Sequence, residues 1–541
     1  MSRRNAIYAV LLPLVMLVSA CSGTTLDFSN TTISAQVVSI SGNQVTVSLA
    51  NQSGGASGGQ GGVPGGMPNG GNPAGQPNGS GQPSGAPGGG QPPDMPGAGP
   101  GNPGSNNPVL TIAASTVITN NGQSATITDI QIGDTLTITF GPSGKVTSID
   151  ISPDSSSSSG SDGTAATTLA TGTYSSVSYS SSNQDENALR IDDGAQVTLS
   201  DATVSKTGDT SSTDNSDFYG LNAAVLVLGT LTENGSTITS NASGANGILV
   251  NGSGNAELKG TTINTVKDNS GGIDATGGGT ITATGLSVAT KGNSSAAIRS
   301  DRGGGTINVT GGTFQTAGVG SPAIYSTANI STESAVLSAT GSEAVVIEGM
   351  NSVKLANSTV SGNMTSSAGG SGDNLHTVMI YQSMSGDSQT GQGTFSMTGG
   401  SLTSKNGDVF YVTNTSASIS LSGVSINNHG GGNLLTVSGN DSSRGWGTAG
   451  SNGGRCEFDT TSQTLSGDIT VDSISSLNLN LDKSTFAGAI NSDGAAGSVN
   501  VTMTGSSWRL TSDSYVTSFT GHTNQIVTNG HHVFVNGQKL V

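Results

Sequence analysis

Residues 271–295 read GGIDATGGGTITATGLSVATKGNSS, which is three short alternating segments separated by glycine-rich corners. Ile273 and Ala275 alternate with polar residues, and the same alternation follows the first corner. A second corner leads to Val288 and a polar closing segment. Because period-two alternation directs one face of a strand inward, this unit predicts a three-sided coil of short strands.

The same unit recurs along residues 188–508, with a step of about 22 to 26 residues or near twice that. One large apolar position follows the second corner, at Val204, Ile238, Ile263, Val288, Phe314, Val360, Leu402, Ile426, Phe486 and Trp508. Another opens each unit, at Leu189, Val225, Ile248, Ile273, Ile298, Ile324, Val345, Val378, Phe410 and Leu435. This regularity is typical of a solenoid, whose coils bury their apolar faces only by stacking.

Coils stacked about 4.8 Å apart pair each strand in parallel with the coils above and below. Parallel crossovers are right-handed in nearly all proteins. The sequence therefore predicts an all-β fold, a right-handed parallel β-helix of roughly 12 to 14 coils and a length on the order of 60 Å. A β-propeller is the alternative, but its blades need about 40 residues and antiparallel hairpins.

The composition of the 541 residues excludes several classes of function. Only 9% of the residues are charged and 4% are aromatic, whereas glycine contributes 84. The formal net charge is -17 and the pI is about 4.4. We expect no nucleic-acid partner, because no basic stripe could neutralise phosphates. No nucleotide, metal or other cofactor is expected either, since the glycine runs lack the strand–loop–helix context of a phosphate site.

The first 21 residues predict a secretion leader. Arg3 and Arg4 precede an apolar run over 7–18, and the run ends in VSAC with Cys21 last. This end resembles a bacterial lipobox, which implies that Cys21 is lipidated and becomes the N-terminus. Its acyl chains would hold the protein on a membrane of the cell envelope. An ordinary signal peptide with a chance cysteine is the alternative.

Two alternating segments at 34–49 are continued by DIQIGDTLTITF (129–140) and KVTSIDI (145–151). These segments resemble small OB-like barrels of bacterial secreted proteins, which implies a β-barrel without a defined activity. The predicted organisation is a signal peptide (1–21), this barrel (24–51 plus 109–152), a disordered Gly/Pro/Asn-rich insert (52–108), a Ser/Gly linker (153–164), the β-helix (165–525) and capping strands (526–541).

Four segments interrupt the repeat, at 205–220, 365–376, 382–393 and 440–464. Insertions in repeat proteins map to loops and often carry binding residues, so we expect loops here. The candidate recognition residues are Tyr219, Tyr381, Arg444 and Trp446.

The repeat array resembles the pectate-lyase-like β-helix superfamily and, within it, the non-catalytic adhesin-like surface proteins of bacteria. The enzymes of that superfamily need clustered carboxylates with basic partners, whereas the carboxylates of this chain are scattered along the sequence. Asp192 and Asp193, beside Arg190, indicate a turn, and adjacent strand residues cannot both face one glycosidic bond. His429 lacks the flanking residues of the hydrolases. We therefore expect no catalytic residues.

We expect structural roles for the remaining thiol, Cys456, and for the C-terminal segment. Cys456 is expected to be an inert small hydrophobic residue. The last residues, GHHVFVNGQKLV, predict a strand, an Asn536-Gly537 turn and a strand that caps the last coil. His531 and His532 are neighbours on a strand and point to opposite faces, so they do not suit a shared metal.

The sequence thus predicts a lipid-anchored cell-surface protein that acts in adhesion or in binding surface polymers, with carbohydrate as the favoured partner. A surface polysaccharide lyase or glycoside hydrolase of the same fold is one alternative. A purely structural envelope protein is the other.

Overall fold

The computed structural model describes residues 32–41, 44–49, 109–113, 115–120, 123–127, 130, 135–141, 144–152, 161–366, 374–383, 385, 387–440, 446–494 and 497–541. Most of those before residue 153 form one compact unit, and those from 161 onward form another. The predictions for the leader, for Cys21, for the 52–108 insert and for Arg444 lie outside the described residues.

The N-terminal unit is a seven-stranded sheet. Its inward side chains include Val37, Val45, Leu136 and Ile149, which are nearly or fully buried. Strands from both sides of the insert meet in it, as the sequence predicts, because Thr32–Ser41 pairs antiparallel with Thr135–Phe140. In sheet order the strands are Val109–Thr111, Gln44–Leu49, Thr32–Ser41, Thr135–Phe140, Val146–Ser152, Val117–Asn120 and Gln123–Ala125.

The second unit is a parallel β-helix, which confirms the predicted fold class. Most coils give one strand to each of three long parallel sheets, here called sheets 1, 2 and 3. Sheet 1 has 11 strands: Leu189–Ile191, Val225–Val227, Ile248–Asn251, Ile273–Thr276, Ile298–Ser300, Ile324–Ser326, Val345–Glu348, His376–Tyr381, Asp408–Thr413, Leu435–Val437 and Ile469–Val471.

Sheet 2 follows sheet 1 in each coil and has 14 strands: Gly172–Ser175, Gln196–Ser200, Thr230–Asn234, Asn255–Lys259, Gly279–Thr284, Gly305–Thr310, Asn329–Glu333, Ser352–Ala356, Gln392–Thr398, Ser416–Ser422, Arg455–Thr461, Ser476–Asp482, Ser498–Thr504 and Ser518–Thr520. Sheet 3 has 10 strands: Ser178–Ser181, Thr203–Lys206, Thr237–Ser240, Thr262–Thr265, Ser287–Thr290, Thr313–Thr316, Val336–Ala339, Thr359–Gly362, Ser401–Ser404 and Ser425–Asn428. The later coils form a four-stranded sheet of Thr464–Ser466, Thr485–Ala487, Ser507–Arg509 and Ile526–Val527.

Both apolar columns predicted from the sequence lie in register inside the β-helix. Val204 stands beside Ile238, and Ile238 beside Ile263, so each large residue packs on its equivalent in the next coil. The register also explains the two double steps in the repeat. Leu337 lies between Phe314 and Val360 in sheet 3, and Leu465 precedes Phe486 in the four-stranded sheet. One continuous core therefore runs through the stacked coils.

The prediction that segment 205–220 is a loop is wrong, because it contains a short helix, α1 (Thr213–Tyr219). Ser212 caps its N-terminus by accepting a hydrogen bond from the Asn215 amide. Gly220 ends it at φ 82°, the left-handed conformation that glycine adopts without strain. This Ser-to-Gly capping pattern was a readable helix signal in the sequence.

The chain ends in the predicted strand, turn and strand. Val533–Val535 pairs in parallel with Ser514–Val516, and Gln538–Lys539 returns antiparallel to it. Asn536 and Gly537 have φ values of 46° and 75°, as a two-residue turn of this kind requires. A single 3-10 turn, Thr523–Gln525, precedes them. Among the described residues, no helix is both long and apolar enough to cross a membrane.

Candidate functional site

The outward face of sheet 1 is covered, whereas the outward face of a solenoid sheet is ordinarily open to solvent. Its central outward column is Arg190, Leu226, Leu249, Asp274, Arg299, Tyr325, Val346, Met379, Tyr411, Thr436 and Thr470. From Leu226 to Thr436, no member of this column is more than 7% exposed. Helix α1 packs on its early coils, since a Cβ at Gly220 would lie 2.5 Å from Leu226 and 3.0 Å from Leu249.

Four ionisable side chains meet beneath this cover. Arg299 Nη1 donates to Asp217 of α1 at 2.9 Å, and its Nη2 donates to Asp301 at 2.6 Å. Asp274 Oδ2 lies 3.9 Å from Arg299 Nε and accepts from Asn246 Nδ2 at 3.3 Å. We call Asp217, Asp274, Arg299 and Asp301 the Arg299 cluster.

Burial controls the ionisation of the Arg299 cluster. It raises the pKa of Asp274 well above the usual carboxyl value, and it raises the pKa of Asp301 to about 7. The pKa of Asp217 is also raised by burial, against the opposing attraction of Arg299. Burial alone would lower the pKa of Arg299, but the surrounding carboxylates outweigh this effect and keep it charged. The cluster therefore holds one fixed cation, and burial favours the neutral form of the carboxyl groups around it.

This gathering corrects the expectation that the carboxylates are scattered. Asp274 and Arg299 are 25 residues apart in sequence but stand side by side in sheet 1, because one coil separates them. Asp217 reaches them from α1. Within the described ranges, no group of three or more His, Cys, Asp or Glu residues could hold a metal ion, and here the Arg299 guanidinium stands among the carboxylates. None of the three carboxyl side chains is more than 7% exposed, so a polymer cannot reach them.

A second contact ties the insertion after residue 381 to the same face. Arg302 donates to Asp387 from Nε at 3.0 Å and from Nη2 at 2.8 Å. The Arg302 guanidinium also lies 4.0 Å from the ring centre of Phe218 in α1. Arg302 therefore joins two insertions that are far apart in sequence, by an ion pair and by a cation–π contact.

Glu348 is the centre of a third buried contact on this face. Its Oε2 accepts hydrogen bonds from the hydroxyls of Tyr325 at 2.7 Å and Tyr381 at 2.9 Å. Its Oε1 accepts from the Ser383 hydroxyl. Burial raises the pKa of Glu348, and burial next to this carboxyl group raises the pKa of both tyrosines. The hydrogen-bonding atoms of these side chains bond to one another, so they are not available to a ligand.

The structure corrects part of the predicted recognition set. Tyr381 lies in the sheet 1 strand His376–Tyr381 and is 3% exposed, and Trp446 is 6% exposed. Their rings pack together at 4.5 Å between centroids, so both serve as packing residues under the inserted segments. Tyr219 is half-buried at the end of α1, beside Phe218 at 6.4 Å. The sequence could not show this burial, because it depends on which coil each insertion covers.

The outward face of sheet 2, in contrast, is open to solvent. One column is Gln196, Thr230, Asn255, Thr280, Thr306, Asn329, Ser352, Thr394, Ser418, Glu457, Asn478, Asn500 and Ser518. The column two residues further along is Thr198, Thr232, Glu257, Thr282, Asn308, Ser331, Lys354, Ser396, Ser420, Asp459, Asn480, Thr502 and Thr520. Every member is polar and none is buried. We call these two columns the sheet 2 ladder.

Hydrogen bonds between coils fix many side chains of the sheet 2 ladder. Ser331 donates to Asn308 at 2.6 Å, and Ser352 donates to Asn329 at 2.7 Å. Towards the C-terminus, Asn500 Nδ2 donates to Asn478 at 2.9 Å. At a spacing of about 4.8 Å per coil, the ladder presents a regular polar surface about 60 Å long.

The other residues singled out in the sequence have structural settings. Asp192 is half exposed and pairs with Arg190 at 2.6 Å, which places the Asp192-Asp193 turn in a surface ion pair. His429 is exposed at a corner. Cys456 is a free thiol in the core, and burial raises its pKa, so it is a poor nucleophile.

The histidines near the chain end also have separate surroundings. His531 Nδ1 lies 3.9 Å from Asp513, and the ring of His532 meets Phe534 edge-on at 6.2 Å between centroids. The two side chains therefore contact different neighbours.

Comparison with known proteins gives no relative. No protein family, no curated protein and no solved structure matches the chain.

Proposed function

We propose that this protein is a lipid-anchored, non-catalytic surface protein of the bacterial cell envelope that faces outward and binds a surface polymer, carbohydrate above all. The observation that carries the proposal is the sheet 2 ladder, an exposed polar face that is regular over thirteen rows. The VSAC end of the leader supports the anchor at Cys21. The parallel β-helix supports placement in the adhesin-like branch of the pectate-lyase-like superfamily.

The chemistry of the ladder suits a hydroxyl-rich chain. Its hydroxyl and amide groups can both donate and accept hydrogen bonds, as sugar hydroxyls do. Because neighbouring coils already hold side chains such as Asn308 and Asn329, less side-chain freedom is lost on binding. Each single contact is weak, but a chain lying along the β-helix can engage many rows at once.

One observation favours the alternative of a polysaccharide lyase or hydrolase, namely the three carboxyl groups around Arg299. Their burial counts against it, since an acid or nucleophile must touch the glycosidic bond. Asp217 and Asp301 are also engaged by the guanidinium. A structural role for the cluster, pinning α1 to sheet 1, accounts for these contacts without a reaction.

The test is glycan-array binding by the full-length protein in detergent, followed by titration of the best ligand. The variant Asn308→Ala/Ser331→Ala removes one linked pair of the ladder. Because a hydrogen bond contributes about 0.5–1.5 kcal/mol, affinity should fall roughly fivefold or more for the pair. The control is Gln315→Ala, an exposed amide on sheet 3, which should leave affinity unchanged.

Three results would contradict the proposal. Binding to no glycan on a broad array would favour the purely structural alternative. Binding with equal affinity by the ladder variant and by the Gln315→Ala control would place the ligand elsewhere. Cleavage of any bound glycan would revive the enzyme alternative.

A further inference from the structure

A groove lies at the corner where strands of sheet 1 end and strands of sheet 2 begin. Its volume is about 550 Å³, and its lining includes Gln382, Gln392, Asn414, Thr415, Ser416 and Arg455. Gln392, Ser416 and Arg455 occupy the same register position in three successive coils. The groove therefore runs along the axis of the β-helix for three coils, outside the columns of the sheet 2 ladder.

Hydrogen bonds hold the walls of the groove in place. Asn414 Nδ2 donates to the backbone oxygen of Gln382 at 2.7 Å. Thr415 Oγ1 donates to the backbone oxygen of Gly391 at 3.1 Å. Across the groove, Asn452 Nδ2 donates to the backbone oxygen of Trp446 at 2.9 Å, beside the lining residues Ser451 and Gly453. Two insertions of the repeat are thus fixed on either side of one corner.

The described lining is polar, and Arg455 is the only charged residue in it. Gln382 is 3% exposed, and its Oε1 has no hydrogen-bond partner among the described residues. Because this oxygen is buried it does not face a ligand, whereas the amide of Gln392 is exposed in the groove. Arg455 is exposed, and no described carboxylate pairs with its guanidinium. Among the described lining residues there is no carboxylate that could repel an anion.

We propose that this groove is a discrete binding site for a polyol that carries one anionic group, either a carboxylate or a phosphate. The amides of Gln392 and Asn414 hydrogen-bond the hydroxyl groups of the ligand. The Arg455 guanidinium binds the anionic group through its planar fork of donors. A sugar acid and a sugar phosphate share this chemistry.

The test is ligand-observed NMR titration of the full-length protein with three matched probes: glucose, glucuronate and glucose 6-phosphate. Both anions should bind more tightly than glucose, and their affinity should fall as salt rises, because Arg455 is exposed. Arg455→Gln should weaken binding of the anions about tenfold and leave glucose unchanged. The better of the two anions identifies carboxylate or phosphate as the natural group.

The matched control is Arg509→Gln, which removes an exposed arginine from the last coils. It should leave all three affinities unchanged, and both variants should unfold at the wild-type temperature. Equal affinity for glucose and the anions, or equal effects of the two arginine variants, would overturn the proposal. So would the absence of binding by all three probes. Because neither arginine variant alters a residue of the sheet 2 ladder, this test can fail while glycan binding by the ladder holds.

Discussion

Asp274 is unusual because its position in the coil register buries a carboxyl group. It occupies an outward position of sheet 1, where a solenoid normally meets water, but α1 and the following coils leave it fully buried. Oδ1 has no hydrogen-bond partner among the described residues, and Arg299 is 3.9 Å from Oδ2. Since this partial pairing does not offset the loss of hydration, the neutral form is favoured in the folded state.

The folded pKa of Asp274 therefore lies well above its unfolded value, and the sign of the pH effect follows. The folded state binds more protons than the unfolded state above about pH 4, so this group's contribution to stability is present at low pH and is lost as pH rises. Asp274→Asn, which cannot ionise, should match the wild type near pH 4 and exceed it increasingly towards pH 8. Urea unfolding of both proteins across this range measures the difference.

Asp192→Asn is the control for that titration, because Asp192 is half exposed and paired at the surface with Arg190. It should shift stability by no more than about 0.5 kcal/mol at any pH, as surface changes usually do. If Asp274→Asn and wild type keep a constant difference in unfolding free energy from pH 4 to 8, Asp274 is ionised in the folded protein.

At the scale of elements, a row of buried serines fastens one corner of the coil to the next. Ser270, Ser295 and Ser321 stand one above another where sheet 3 leads into sheet 1, and each is buried. The Ser295 hydroxyl accepts from the Ser270 amide at 2.9 Å, and the Ser321 hydroxyl accepts from the Ser295 amide at 2.9 Å. These hydroxyls satisfy backbone groups that the strand ladders leave unpaired at the corner.

Ser295→Ala should therefore destabilise the β-helix by about 1–3 kcal/mol, because it leaves the buried Ser270 amide without an acceptor. Ser287→Ala is a matched control in the same coil, since Ser287 is exposed at the start of its sheet 3 strand. It should change stability by about 0.5 kcal/mol or less. Chemical denaturation followed by circular dichroism gives both values, and equal losses would remove the serine row as a stabilising feature.

The elements differ in how far the sequence could predict them. The inner columns were predictable, because apolar residues such as Ile263 and Val288 must recur once per coil to build a core. The serine row and the Arg299 cluster were not, because serines are abundant in this chain and a charged pair 25 residues apart has no local signature. Helix α1 was predictable only in part. Ser212 and Gly220 signal its ends, but its position on sheet 1 depends on tertiary contacts.

At the scale of the whole β-helix, the outward faces of sheets 1 and 2, which meet at one corner, differ in their exposure to solvent. Sheet 1 is covered by insertions that bury aromatic and charged side chains, including Tyr381 and Arg299. Sheet 2 carries no such cover and keeps polar side chains partly or fully exposed over its full length. The groove with Arg455 lies at the boundary between them. The interruptions of the repeat therefore cover one outward face of the β-helix and leave the other uncovered.

The proposed attachment of the chain to a membrane rests on one residue in the sequence, Cys21. Each methylene of a buried acyl chain contributes about 0.8 kcal/mol, so a lipidated Cys21 with two or more chains holds the protein stably on a bilayer. Cys21→Ser should therefore move the protein from the membrane fraction to the soluble fraction after cell lysis and ultracentrifugation. Cys456→Ser is the control, because it removes the buried thiol of the β-helix and should leave fractionation unchanged. If the Cys21→Ser protein stays in the membrane fraction, the lipid anchor is wrong and another part of the chain holds the membrane.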